Sequence, residues 1–343
     1  MEKQKLAVAM SGGVDSSAAA VLAKGAGDAF GATMRLCDEA FAEAGAAAEI
    51  CASLGMPHTV WDFRDTFRRE VMERFAAAYA AGQTPNPCVV CNRFIKFGAF
   101  LERALQSGAA RIVTGHYART VRQGGRVLLQ KAADKSKDQS YVLYTLSKEA
   151  LERVWFPLGE LTKPQVRELA HEQGLASANR KESQDICFVP DGDYAAFIER
   201  FSGKTFPPGD FTDLSGRVLG QHKGIIRYTV GQRRGLGLAL PAPMYVVKKD
   251  VSENCVRLGF SQDLLCDTVE VGELNLTACD AFPSPVRLAV RIRYNQAEQP
   301  ATVEQTGADR LRIRFDTPQR AVTPGQAAVL YDGDTVVGGG TIL

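Results

Sequence analysis

No apolar run in this chain of 343 residues approaches the ~20 residues that a membrane-spanning helix needs, so no membrane association is expected. Internal repeats and low-complexity segments are missing as well. Nothing with the form of a signal peptide precedes the first apolar run, since Met1-Glu2-Lys3-Gln4-Lys5 leads straight into it, and the expected compartment is the cytoplasm. Eight cysteines in a long chain without a secretion signal argue against a disulfide scaffold and for reduced, metal-binding or catalytic thiols. Strong net charge is also lacking, at only +2. What basic character exists is local: residues 203–250 hold eight Lys and Arg against three Asp and Glu, whereas residues 251–343 hold eight against twelve. Such a segment either tracks a phosphate backbone or is a solvated surface with chance clustering.

What is present is ordinary globular composition, 45% hydrophobic and 23% charged, at a length that implies two or three domains. The first two hundred residues alternate short β-like runs with amphipathic helical stretches, the pattern of a parallel α/β sheet. Phe67, Val71, Phe75 and Ala78/Tyr79 share one stripe of a helix after Asp65, with Gly82 as its stop. Arg111-Ile112-Val113-Thr114 reads as a core strand ending at Gly115-His116-Tyr117, at the edge where parallel sheets bind ligands. From Gly203, after which Pro207-Pro208-Gly209 reads as a linker, helical periodicity gives way to alternation, as in Arg312-Ile313-Arg314-Phe315. The expected organisation is an α/β catalytic domain over residues 1–202, a small central β domain over 203–265 and a C-terminal β-barrel over 266–343.

Ser11-Gly12-Gly13-Val14-Asp15-Ser16-Ser17 sits between an apolar run and an alanine-rich helical stretch, the order of strand, glycine turn and helix. Glycines permit close backbone approach to a ligand, and a helix N-terminus suits an anion. The loop lacks the lysine of G-x-x-x-x-G-K-[ST], which excludes a Walker A site. Asp15 stands where a cation would be expected, so Mg²⁺ is expected to mediate phosphate contact. The pattern resembles the pyrophosphate-binding loop of ATP pyrophosphatases, which cleave ATP to AMP and pyrophosphate to activate a carbonyl oxygen. An ordinary small-residue turn is the alternative.

Thr84-Pro85-Asn86-Pro87-Cys88-Val89-Val90-Cys91-Asn92 sets two thiols three residues apart, a spacing that suits a metal, a cluster or thiol exchange. Cys187, between Ile186 and Phe188, is either a third member or a buried structural cysteine. Cys37, Cys51, Cys255, Cys266 and Cys279 match no motif of this kind.

Together these motifs resemble, over essentially the whole chain, the bacterial tRNA-specific 2-thiouridylases, which replace the C2 oxygen of the anticodon wobble uridine with sulfur. The resemblance continues through Ile95-Lys96-Phe97, Thr114-Gly115-His116-Tyr117, Lys137-Asp138-Gln139-Ser140-Tyr141, Gly231-Gln232-Arg233-Arg234-Gly235 and Arg291-Ile292-Arg293-Tyr294. It implies an adenine nucleotide α-hydrolase-like catalytic domain, with ATP contacted by Ala9, Met10, Ser11, Gly12, Gly13, Val14, Asp15, Ser16 and Met34, and closed over by Gly115. It further implies Cys91 as nucleophile and Cys187 as persulfide carrier, with Asn86, Pro87 and Cys88 on the target base. His116, Lys137, Asp138, Gln139, Arg293, Tyr294 and Gln326 correspond to tRNA contacts. The implied partners are a tRNA with a wobble uridine and a sulfur donor, either a cysteine desulfurase or a sulfur-relay protein.

One position departs from the family pattern: Cys88 stands where many members carry Asp. A carboxylate is lost and a third thiol gained. Cys88, Cys91 and Cys187 either hold a 4Fe-4S cluster with one iron open for hydrosulfide, or Cys187 and Cys91 run a persulfide relay through a disulfide, or the thiols hold structural zinc. Two other readings stay open: an ATP pyrophosphatase acting on a small-molecule carbonyl, which needs neither paired thiols nor a β tail, and an RNA-binding relative without catalysis.

Overall fold

The computed structural model describes residues 4–38, 44–175, 177 and 186–343. Strands β1 (Lys5–Ala9), β2 (Asp28–Arg35), β3 (His58–Asp62) and β4 (Arg111–Val113) are followed by a hairpin, β5 (Ala118–Gln123) and β6 (Arg126–Lys131), and by the short β7 (Val154–Trp155). The alternation of apolar runs with helices folds as expected into a parallel sheet, in the order β3-β2-β1-β4-β7. Helix α1 (Val14–Ala26) crosses it with Ala18, Ala19, Ala20 and Ala23 wholly buried, and their small side chains let its backbone lie close to the strands.

Residues 64–80 form the helix whose stripe the sequence predicts, and Phe67, Val71, Phe75 and Tyr79 are all buried. Its middle, Arg68–Glu73, widens into a π-helix, and Gly82 follows its end at φ +77°. Residues 87–106 run similarly as α-helix (Pro87–Cys91), π-helix (Asn92–Ala99) and α-helix (Phe100–Gln106).

A helix at Tyr194–Ser202 ends in left-handed Gly203. Beyond it lie β8 (Gly209–Thr212), β9 (Val218–His222), β10 (Tyr245–Asp250) and β11 (Cys255–Gly259), in one sheet ordered β10-β11-β8-β9. Strands β12 (Leu265–Leu276), β13 (Val286–Arg291), β14 (Gln299–Gly307), β15 (Arg310–Arg320), β16 (Ala327–Asp332) and β17 (Thr335–Ile342) close on themselves through β12–β17 pairing into a six-stranded barrel. Leu311, Ile313 and Phe315 point into it while Arg310, Arg312 and Arg314 face solvent, which is the alternation seen in the sequence.

The barrel does not stand alone. The hairpin β5–β6, encoded within the α/β part, extends the barrel sheet beside β17, with Gln130 opposite Thr335. Lys131 Nζ reaches Glu298 at 2.8 Å and the Gly333 carbonyl at 2.7 Å, and Arg119 reaches Asp334 at 2.9 Å. Among the described residues no helix is long and apolar enough to cross a membrane.

Candidate active site

Strand β1 delivers the glycine loop to the carboxyl edge of the sheet. Gly12 takes φ +77°, a backbone conformation that glycine alone adopts readily. Gly13 begins α1 without a side-chain cap, while Ser16 and Ser17 donate their hydroxyls to the Gly13 carbonyl at 2.9 and 2.8 Å. The turn is thereby braced, and among the described residues no side chain makes a capping hydrogen bond at the helix N-terminus, where N–H groups and dipole favour an anion. Gly115, just past β4, faces this turn. A Cβ there would stand 2.7 Å from the Asp15 carbonyl carbon and 2.8 Å from Ser16 N, so only glycine permits the approach. Ala9 ends β1, and Met34 is the penultimate residue of the neighbouring β2, on the same edge.

The carboxylate of Asp15 is held by two groups that sequence reasoning missed. Tyr117 donates its hydroxyl at 2.8 Å, and Lys163 Nζ lies 2.8 and 2.9 Å from the two oxygens. The loop has no lysine of its own, yet the fold brings one from 148 positions away. Lys163 opens the helix Lys163–Glu172 at the Thr162-Lys163-Pro164-Gln165 start, where Thr162 N–H donates to Gln165 Oε1 at 2.8 Å. That start signal was legible; its pairing with Asp15 was not.

Asn86 Oδ1 accepts the Cys88 N–H at 3.0 Å and Pro87 occupies the first turn, so the Asn-Pro pair starts the thiol-bearing helix. Cys91 is buried and Cys88 exposed. Burial pushes the Cys91 thiol up to about 11, with Lys96 pulling down and Cys88 pushing up. Cys187 keeps an open surface but sits among closely packed atoms, whose desolvation pushes its thiol up to about 12. Repulsion from Cys91, Cys88 and Cys37 adds to this, and Lys96 opposes it. Cys37, which matched no motif, thus acts electrostatically on Cys187 along with Cys88 and Cys91. Among the described residues, however, no three His, Cys, Asp or Glu side chains come together as a group able to hold a metal ion. As placed, the thiols do not form a cluster-ligand set.

His116 is buried between the rings of Phe97 and Phe156. Burial first, and then Lys96, holds it well below its ordinary pKa, so the ring is neutral. Lys96 can only donate, at 3.4 Å to Nε2, which leaves the proton on Nδ1 for the bond of 2.8 Å to Thr114 Oγ1. Several of the other expected tRNA contacts also carry internal bonds. Asp138 is buried and accepts from Ala132 N–H at 3.1 Å and Ser140 Oγ at 2.8 Å. Gln139 Oε1 accepts the Tyr117 N–H at 2.9 Å, and Tyr294 donates to the Asp138 carbonyl at 3.4 Å. Arg293 Nη2 donates to Val230 O, Ala321 O and Thr323 Oγ1 at 3.1, 2.8 and 2.6 Å, which ties the segment before β10 to the barrel. Gln326 reaches back to Thr84 at 2.6 Å, and Lys137 is half-buried.

The class follows from the match of residues 4–191 to the family model described as tRNA methyl transferase HUP domain, of 195–259 to the tRNA methyl transferase PRC-barrel domain, and of 267–342 to the aminomethyltransferase β-barrel domain. This is a HUP-type α/β domain joined to two barrels. A "tRNA-specific 2-thiouridylase MnmA" from Lachnoclostridium phytofermentans is 45% identical over 355 residues, covering 99% of each chain. One of the same name from Moorella thermoacetica is 47% identical, covering 98% of each. The chain belongs to the tRNA-specific 2-thiouridylase family. A solved "U34-tRNA thiolase NcsA from Methanococcus maripaludis with its [4Fe-4S] cluster" aligns at a TM-score of 0.37 and 16% identity over 58% of this chain and 68% of that one, a likeness too low to bear on the thiols here.

Proposed function

We propose that this protein is a tRNA-uridine 2-sulfurtransferase, which uses ATP to activate the C2 oxygen of the wobble uridine and replaces it with sulfur. The observation that carries this is the glycine loop, closed by Gly115 and starting a helix with no side-chain capping bond, in the same α/β domain as the Asn86–Pro87 helix start that carries Cys88 and Cys91. Uridine C2=O is a poor electrophile with a poor leaving group. Transfer of AMP to that oxygen supplies a leaving group, and the glycine loop receives the departing pyrophosphate. Asp15 would hold a Mg²⁺ ion bound with ATP, which would neutralise charge on the phosphates, and Lys163 would supply a second positive charge beside it.

The sulfur step is written as a persulfide relay, because the thiols are not grouped as cluster ligands. The terminal sulfur of a Cys187 persulfide attacks C2 and AMP leaves. Cys91 then attacks Cys187 Sγ, forming a Cys91–Cys187 disulfide and releasing the thiolated base. A thiol reductant outside the protein returns both cysteines to thiols, and a cysteine desulfurase or relay protein reloads Cys187. The stacked base must be extruded to expose C2, and the basic segment 203–250 grips phosphates of the anticodon stem. The test is ATP-dependent formation of 2-thiouridine and pyrophosphate with unmodified tRNA, a cysteine desulfurase with cysteine as persulfide donor, and a thiol reductant. Wild-type protein that binds tRNA but releases no pyrophosphate would overturn the reading.

A further inference from the structure

The segment that leads into the thiol-bearing helix is held from outside its own domain. Thr84 N–H donates to the Pro324 carbonyl at 2.9 Å, and Gln326 Nε2 donates to the Thr84 carbonyl at 2.6 Å. One barrel turn thus takes both backbone groups of a single residue. Between those contacts Gly325 lies at φ +89°, and a Cβ on it would stand 2.9 Å from Gln83 Cβ and 3.0 Å from Thr84 N. Two separate constraints, conformation and space, require glycine there.

The turn is rigid on its own side. Gly325 N–H donates to Ile342 O at 2.9 Å, and Ile342 N–H donates to Gln326 O at 2.8 Å. The central sheet adds a third hold, through Lys249 Nζ on β10 to Gln83 O at 3.4 Å. Two residues beyond Thr84, Asn86 starts the helix that carries Cys88 and Cys91. Pro85 and Pro87 stiffen the chain between, so a shift at Thr84 passes to Asn86 instead of being absorbed.

We propose that Gly325 and Gln326 are positioning residues for sulfur transfer: the turn at residues 324–326 of the C-terminal barrel clamps Thr84 and so sets where Asn86 and the thiol-bearing helix stand. This role is distinct from an RNA contact, because one amide N–H of Gln326 is used inside the protein. It also makes the barrel a part of the active site rather than only an RNA grip. Its activity arm rests on the proposed sulfurtransferase reading; its structural arm does not.

The test compares the full-length protein with Gln326→Met, which keeps side-chain length and removes the donor, and with Gly325→Ala, which removes no side chain. Three quantities are read: hydrogen exchange of the Thr84 and Cys88 amides by mass spectrometry, tRNA Kd at fixed salt, and thiolation kcat. Gln326→Met frees the Thr84 carbonyl and Gly325→Ala crowds Thr84 N, so in both the Thr84 N–H should pair less well with the Pro324 carbonyl, and both amides should exchange about tenfold faster. Both should lose about tenfold in kcat while Kd stays within about twofold. Unchanged exchange in either variant overturns the clamp. A rise in Kd that accounts for the whole loss of kcat/KM in Gln326→Met, with exchange unaltered, assigns Gln326 to RNA contact alone. Should wild-type protein fail to thiolate tRNA, the sulfurtransferase reading falls, and the exchange measurement still decides the clamp.

Discussion

Lys163 Nζ lies within 2.9 Å of both carboxylate oxygens of Asp15, and its side chain is 8% exposed against 33% for the acid. The acid of the glycine loop is therefore already paired before any nucleotide arrives. On the proposed reading, a phosphate–metal unit entering the cradle would have to share or displace that lysine.

Asp15→Asn keeps one acceptor oxygen for Tyr117 and Lys163, replaces the other with an amide donor and removes the charge. Pyrophosphate release in the presence of tRNA should fall by about a hundredfold or more, in the range seen on removing one preorganised electrostatic group. Filter-binding Kd for tRNA should be unaltered. Near-normal pyrophosphate release would remove Asp15 from the nucleotide site.

At Gly115 the constraint is steric. Because the nearest atoms are backbone, at 2.7 and 2.8 Å, no rotamer change relieves an added methyl. Gly115→Ala should spread the loop and raise the ATP Kd about tenfold or more by calorimetry. Equal ATP affinity in this variant would show that the loop and β4 move apart without cost.

Lys249 supplies a test by pH. Burial lowers its pKa from 10.5 to about 8, so between those values the folded protein binds fewer protons than the unfolded chain. Stability from this group is accordingly least below pH 8 and recovers as pH rises through that window. Lys249→Met should flatten the pH dependence of urea unfolding between pH 8 and 10, and stabilise the protein at pH 7 by about 2 kcal/mol after the lost bond to Gln83 is subtracted. A variant less stable than wild type at pH 7 would contradict this.

Arg233 and Arg234 are both exposed in the basic segment. If they meet phosphates, tRNA affinity should fall steeply with salt, and Arg233→Glu with Arg234→Glu should flatten the slope of log K against log salt by about two. An unaltered slope returns the segment to the solvated-surface alternative.

Legibility in the sequence followed the range of the interaction involved. The glycine loop, the stripe Phe67–Val71–Phe75–Tyr79 and the alternation along β15 are local patterns, and each appears as read. The pairing of Asp15 with Lys163 and the hydrogen bonds on Thr84 depend on chain closure over long distances, which no local spacing encodes. Motif resemblance also gave no sign of internal roles: Asp138, carried over as a tRNA contact, is buried with backbone and hydroxyl donors and has Arg291 at 3.4 Å.

The hairpin β5–β6 makes the domains difficult to separate physically. Its strand β6 finds its outer neighbour only in β17, more than two hundred positions downstream. A nascent chain that has emerged only through the α/β part would carry β6 as a bare edge, open to pairing with a second copy, until the last strand leaves the ribosome. Deleting the barrel would make that transient hazard permanent.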